Sequence, residues 1–191
     1  MATTVIVNRG TGAGGKNTNK NGLGFEKFTS LDKKQSKYLK GKHTYCKFKG
    51  SDKEFICVSG AQLFKYMKSI GEMSNLKPAK GCKRPDEAYI DNDKNVFIIE
   101  KKYQRRSGSV EEKIQTGDFK QKHFNELFPN YNVNYIYCLN EWFKTELESR
   151  ARGGIRYYLE ECGVKVFWGE RKSYKTKIIK YMINYKLKPQ S

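Results

Sequence analysis

The chain is 191 residues long, enough for one α/β domain with a sizeable core. Its 38 Lys and Arg against 20 Asp and Glu give a formal charge of +18, which points to a polyanionic partner such as nucleic acid. No apolar run approaches membrane-spanning length, which excludes a helical membrane protein.

Residues 1–9 lack both a basic start and an apolar stretch long enough for a signal peptide, so a soluble cytoplasmic protein is expected. Five cysteines, Cys46, Cys57, Cys82, Cys138 and Cys162, form no C-x-x-C pair and predict free, mostly buried thiols in a reducing compartment. His43-x-x-Cys46 has no partner cluster, so a zinc site is set aside. Gly10 to Asn17 nearly spells the phosphate-cradling loop G-x-x-x-x-G-K-[ST]. Asn17 replaces the hydroxyl that would ligate Mg²⁺, and residues 18–22 open a helix poorly. No nucleotide cofactor is expected, and Lys16 and Asn17 are read instead as contacts to DNA phosphates.

Residues 23–39 are weakly helical, with Phe25, Phe28 and Leu31 on one side. Residues 44–48 and 54–58 flank Gly50-Ser51-Asp52 and read as a hairpin. Residues 61–69 read as a helix with Leu63, Phe64 and Met67 as its apolar face. A polar connection over 71–83 carries Lys77, Lys80 and Lys83 and is read as passing near a DNA backbone.

The most informative stretch comes next. Arg84-Pro85-Asp86-Glu87-Ala88-Tyr89-Ile90, a polar turn, and Asn95-Val96-Phe97-Ile98-Ile99-Glu100-Lys101-Lys102 predict a two-stranded hairpin. Its second arm has the unbroken apolar run of a strand buried on both faces. Glu100 and Lys102, two apart, share a face and Lys101 points away. Pairing centred between Asn92 and Asp93 would place Asp86 across from Ile99. An odd-length loop or a bulge would place it across from Glu100 instead. Two carboxylates at that separation call for a cation between them, and hard Mg²⁺ takes oxygen ligands of this kind.

Beyond the hairpin, Arg105-Arg106-Ser107-Gly108 reads as a loop, and Ser109-Val110-Glu111-Glu112 has the capping-box form that opens a helix. That helix is expected to run to about residue 128, with Val110, Ile114, Gly117, Phe124 and Phe128 on the sheet and Lys113, Lys120 and Lys122 on other faces. Residues 133–139 form a strand beside Glu100's, residues 141–150 and 155–162 form helices, and 163–168 form a final strand. Residues 170–188 alternate cations with tyrosines and fit either strand or helix periodicity.

Pro85-Asp86 with Glu100-Lys101-Lys102 resembles the PD-(D/E)XK nuclease signature. Residues 108–117 are similar to the segment downstream of that signature in type II restriction endonucleases. The resemblance covers residues 23–168 and implies an α/β fold with a central mixed β-sheet flanked by helices. Residues 1–22 would be a Gly/Asn-rich lead-in and 169–191 a basic segment of the same single domain. It implies Asp86, Glu100 and the backbone carbonyl of Lys101 as Mg²⁺ ligands and Lys102 as the residue orienting the attacking water. It adds Glu26 and Gln115 as accessory residues. The activity implied is Mg²⁺-dependent cleavage of double-stranded DNA at a short sequence by a homodimer. Lys83, Arg84, Arg105, Arg106, Arg171, Lys172 and Lys175 are the candidate DNA contacts. A structure-selective nuclease and a non-catalytic nucleic-acid-binding protein remain the alternatives.

Overall fold

Val96, Phe97, Ile98 and Ile99 are all fully buried, as an apolar run with no polar alternation requires. At about 1.5–3 kcal/mol for each such side chain, this segment anchors the core. In the computed structural model, which describes residues 16–105, 110–148 and 154–186, it forms the middle of one seven-stranded sheet. The elements run α1 (Lys16–Thr29), β1 (Gln35–Lys40), β2 (His43–Phe48), β3 (Glu54–Val58), α2 (Gln62–Ser69), β4 (Glu87–Asp91) and β5 (Asn95–Lys102). After them come α3 (Val110–Gln115), α4 (Gly117–Leu127), β6 (Asn132–Leu139), α5 (Trp142–Glu148), α6 (Ile155–Glu161), β7 (Lys165–Trp168) and α7 (Tyr174–Ile183).

Strands lie in the sheet in chain order. β1 to β5 pair antiparallel as a meander, and β5, β6 and β7 pair parallel. The change of sense falls at β5 because the links after it are helical crossovers, which parallel strands need. The fold is therefore α/β with a mixed sheet flanked by helices. Side chains of β5 alternate between two apolar layers. Val96 and Ile98 join Leu63, Met67, Phe124, Leu127 and Phe143 on the side of α2, α4 and α5. Phe97 and Ile99 join Phe25, Tyr174, Ile178 and Met182 on the side of α1 and α7.

Several expectations are corrected. The helix expected over 23–39 runs instead from Lys16 to Thr29, so it begins inside the stretch read as a lead-in. Gln35–Lys40 is an edge strand, and its exposed side chains explain why no apolar alternation marked it. The helix expected from 109 to 128 is divided at Thr116 into α3 and α4. A Cβ at Gly117 would come within 2.7 Å of Leu159 and 2.9 Å of Tyr137, so α4 starts where the backbone must lie close to its neighbours. The basic segment, which fits strand or helix by its spacing, is helical over Tyr174–Ile183, where Tyr174, Ile178 and Met182 form the buried stripe. Cys46 and Cys57, on neighbouring strands with Cα atoms 6.3 Å apart, form a disulfide. That removes the inference from free thiols to a reducing compartment, although Cys82, Cys138 and Cys162 are free. Among the described residues no helix is long and apolar enough to cross a membrane.

Candidate active site

The hairpin of β4 and β5 sets the site. Glu87 pairs with Ile99 and Ile90 with Val96, and Asp86 is a bend just ahead of the paired strand, on the side of Glu100. This is the odd-loop alternative, closed by Asn92, Asp93 and Lys94. Lys94 has φ 59°, the left-handed residue that finishes a three-residue hairpin loop. Buried Asp91 holds the turn: its Oδ1 accepts the backbone N–H of Asp93 at 3.0 Å and of Asn95 at 2.9 Å. Lys53 reaches its other oxygen at 2.8 Å.

Asp86, one residue before β4, turns its Oδ2 to the backbone N–H of Lys101 at 2.7 Å. Burial pushes its carboxyl above the usual range and Glu100 adds repulsion. Glu100 is buried and accepts Lys102 Nζ at 2.5 Å. Burial works against the Lys102 charge, yet Glu100, Asp86 and Glu26 together raise its pKa. Lys101 points to the opposite face, where its Nζ bonds Glu87 and, at 3.0 Å, the backbone oxygen of Glu26. That contact ties α1 to the hairpin. Glu26 consequently stands close to Asp86, and burial followed by Asp86 raises its carboxyl. Asp86, Glu26, Glu87 and Lys101 share a recess of about 340 Å³.

One participant is missed by the sequence reading. Lys120, expected on an outer face, is buried at 7% exposure. Its Nζ lies 5.7 Å from the ring centroids of both Tyr135 and Tyr137. Burial lowers its pKa, while Glu100 and Asp86 draw it up and Lys102 opposes it. The spacing Gly117, Lys120, Gln121, Phe124 already marks it as inward. Its charged type hid that signal.

The other candidates divide. Gln115 is exposed on α3 and lines a shallow recess with Asp118, Tyr158 and Cys162, apart from the carboxylates. Lys83 and Arg84 are exposed immediately before Pro85 and flank the site. Arg105 is exposed and bonds the Tyr103 hydroxyl. Arg171 pairs with Glu141 at 2.9 Å, and Lys172 is exposed beside it. Lys175 is half-buried on α7; burial lowers its pKa and Glu87 opposes that. Arg106 and the side chains of Lys16 and Asn17 lie outside the described residues.

Among the described residues no three His, Cys, Asp or Glu side chains gather as a group that could hold a metal ion. Mg²⁺ asks for less: it retains several waters and is commonly held by one or two carboxylates plus substrate phosphate. A pair of neighbouring carboxylates, one of them raised by burial and by the other, fits that requirement. No protein-family model, curated protein or solved structure matches the chain.

Proposed function

We propose that this chain is a Mg²⁺-dependent endonuclease that hydrolyses phosphodiester bonds of double-stranded DNA at a short specific sequence, in the manner of PD-(D/E)XK restriction enzymes. The observation that carries the reading is Asp86 fastened at 2.7 Å to the Lys101 N–H, next to Glu100, with Lys102 bonded to Glu100 at 2.5 Å. The mixed sheet flanked by helices is compatible with it, and the +18 charge suits a DNA substrate.

Asp86 and Glu100, with the Lys101 carbonyl, would hold the ion, and Glu26 adds negative charge beside Asp86 without joining them as a ligand. When bound, Mg²⁺ lowers the pKa of a coordinated water and offsets phosphate charge. Lys102, kept protonated by its carboxylate neighbours, donates to the attacking oxygen and to the phosphate. Glu100 holds that ammonium in place. Lys120 adds a second cation from α4. No side-chain nucleophile is required. A homodimer would match a palindromic site and bring one hairpin to each strand.

Incubating the protein with mixed-sequence duplex DNA, with and without Mg²⁺, and sequencing the ends tests this. Mg²⁺-dependent fragments with one flanking sequence are expected. Cutting confined to branched or damaged DNA would reassign the site to a structure-selective nuclease. Binding without cleavage under any divalent ion would leave a basic nucleic-acid-binding protein.

A further inference from the structure

A second polar cavity sits at the β7 edge of the sheet, away from the carboxylates. Lys144 of α5, Arg156 of α6, Trp168 of β7, and Arg171, Ser173 and Lys177 around the start of α7 line a space of about 340 Å³. None of the residues lining it is acidic. Three helices and a strand end thus converge four cations on one concavity.

Two of these cations are held in place. Arg156 lies 5.6 Å over the Trp168 ring and donates from Nε to Glu160 at 3.1 Å. Arg171 donates from Nε to Glu141 at 2.9 Å. A guanidinium has five N–H donors, so that bond orients Arg171 without exhausting its fork. α7, ten residues long, opens here with no acidic residue in its first turn, and Ser173 makes no side-chain capping bond. The amides and positive dipole end of that helix therefore add to the four side chains.

The sheet register fixes where this cavity lies relative to the candidate active site. Lys102 pairs with Leu139, and Leu139 with Trp168. The three residues form one row across the parallel strands, on one face. Two strand spacings separate Lys102 from Trp168, about 10 Å. That separation keeps the cavity within reach of the same stretch of a DNA backbone, which carries one charge per nucleotide.

We infer that this cavity seats a backbone phosphate of the DNA strand on which the carboxylates act, close to the bond to be cut. The inference rests on the endonuclease reading above. Guanidinium forks and helix amides match phosphate oxygens, and a chain of charge +18 offers its cations to a polyanion rather than to a small neutral ligand.

The test measures binding, so that it stands apart from cleavage. Asp86→Asn protein is titrated with a 24-base-pair duplex across a salt series, alone and combined with Lys144→Ala and Lys177→Ala. Losing two phosphate contacts is expected to flatten the slope of log K against log salt by about 2 and to weaken binding tenfold or more. Lys65→Ala with Lys68→Ala, on α2, should leave both unchanged. An unaltered slope in the Lys144/Lys177 variant overturns the inference while leaving the nuclease reading intact. So does an equal loss in the α2 control. If the double variant loses chemical-shift perturbation by inorganic phosphate but retains full duplex affinity, the cavity serves a free anion and the inference fails. Absence of any salt-dependent duplex binding by Asp86→Asn protein removes the DNA ligand altogether.

Discussion

The carboxylate of Asp86 accepts the backbone N–H of Lys101 at 2.7 Å. The residue ahead of β4 is thereby fastened to the strand that carries Glu100. Glu100 is set by its pairing with Tyr137 of β6, and Asp86 by its bond to the peptide between Glu100 and Lys102.

Asp86→Asn and Glu100→Gln keep shape and hydrogen-bonding capacity while removing charge. Each is expected to lower Mg²⁺-dependent cleavage by at least about 10²- to 10³-fold, the scale of losing one essential electrostatic group. Circular dichroism and duplex affinity should stay close to those of the wild type. Retained cleavage in either variant would contradict the assigned roles.

Folding raises the Asp86 pKa above the unfolded value of 3.8. Its favourable contribution is present below that value and is lost as pH rises through the folded one. Without metal, Asp86→Asn should therefore be more stable than the wild type at pH 7, and the gap should close towards about pH 4. Mg²⁺ at ten times its Kd should return about 1.4 kcal/mol to the wild type and less to the variant. Urea midpoints at the two pH values, with EDTA or Mg²⁺, measure both effects.

Lys120 is a buried cation with a pKa lowered first by burial. A depressed pKa favours the folded state above the ordinary lysine value and opposes it below. Lys120→Met should thus be at least as stable as the wild type at pH 7, with the difference shrinking towards about pH 10.4. Cleavage should fall even so, because a cation facing Glu100 and Asp86 is lost. Thermal denaturation beside a cleavage assay separates the two outcomes.

A Cβ at Gly169 would lie 2.7 Å from Phe25 and from Thr29 and 2.8 Å from Cys138. Gly169→Ala should destabilise the protein by about 1–3 kcal/mol through overpacking. Because the clash is with α1, which carries Glu26, amide exchange should accelerate in residues 25–29 before the sheet opens.

The strands from residue 43 to 58 and from 87 to 102, β6 and β7 were legible because β-branched and aromatic runs end at turn residues. Asp86, Glu100 and Lys102 stood out for the same reason: they continue a pattern that the buried run makes unambiguous. Register was not legible, since Asp91-Asn92-Asp93-Lys94 permits even or odd pairing, and the choice depends on buried Asp91 and on Lys94 at φ 59°. β1 escaped notice because an edge strand with exposed side chains has no apolar alternation. Lys120 escaped because charge outweighed spacing in judging which way a residue faces. Glu26 was singled out by resemblance, and it stands near Asp86 because Lys101 Nζ pulls the end of α1 onto the hairpin.

The loop of Asn92, Asp93 and Lys94 lies at the opposite end of the hairpin from the carboxylates, yet it decides whether they meet. Side chains alternate faces with every step along a strand, so removing one residue there would slide Asp86 against Ile99 and leave Glu100 without its counterpart. The same slip would exchange Tyr89 with Ala88 and Ile90 between the two apolar layers. A deletion at this remote surface position should therefore cost the proposed cleavage and part of the core packing together, so loop length bears on the site as much as side-chain identity does.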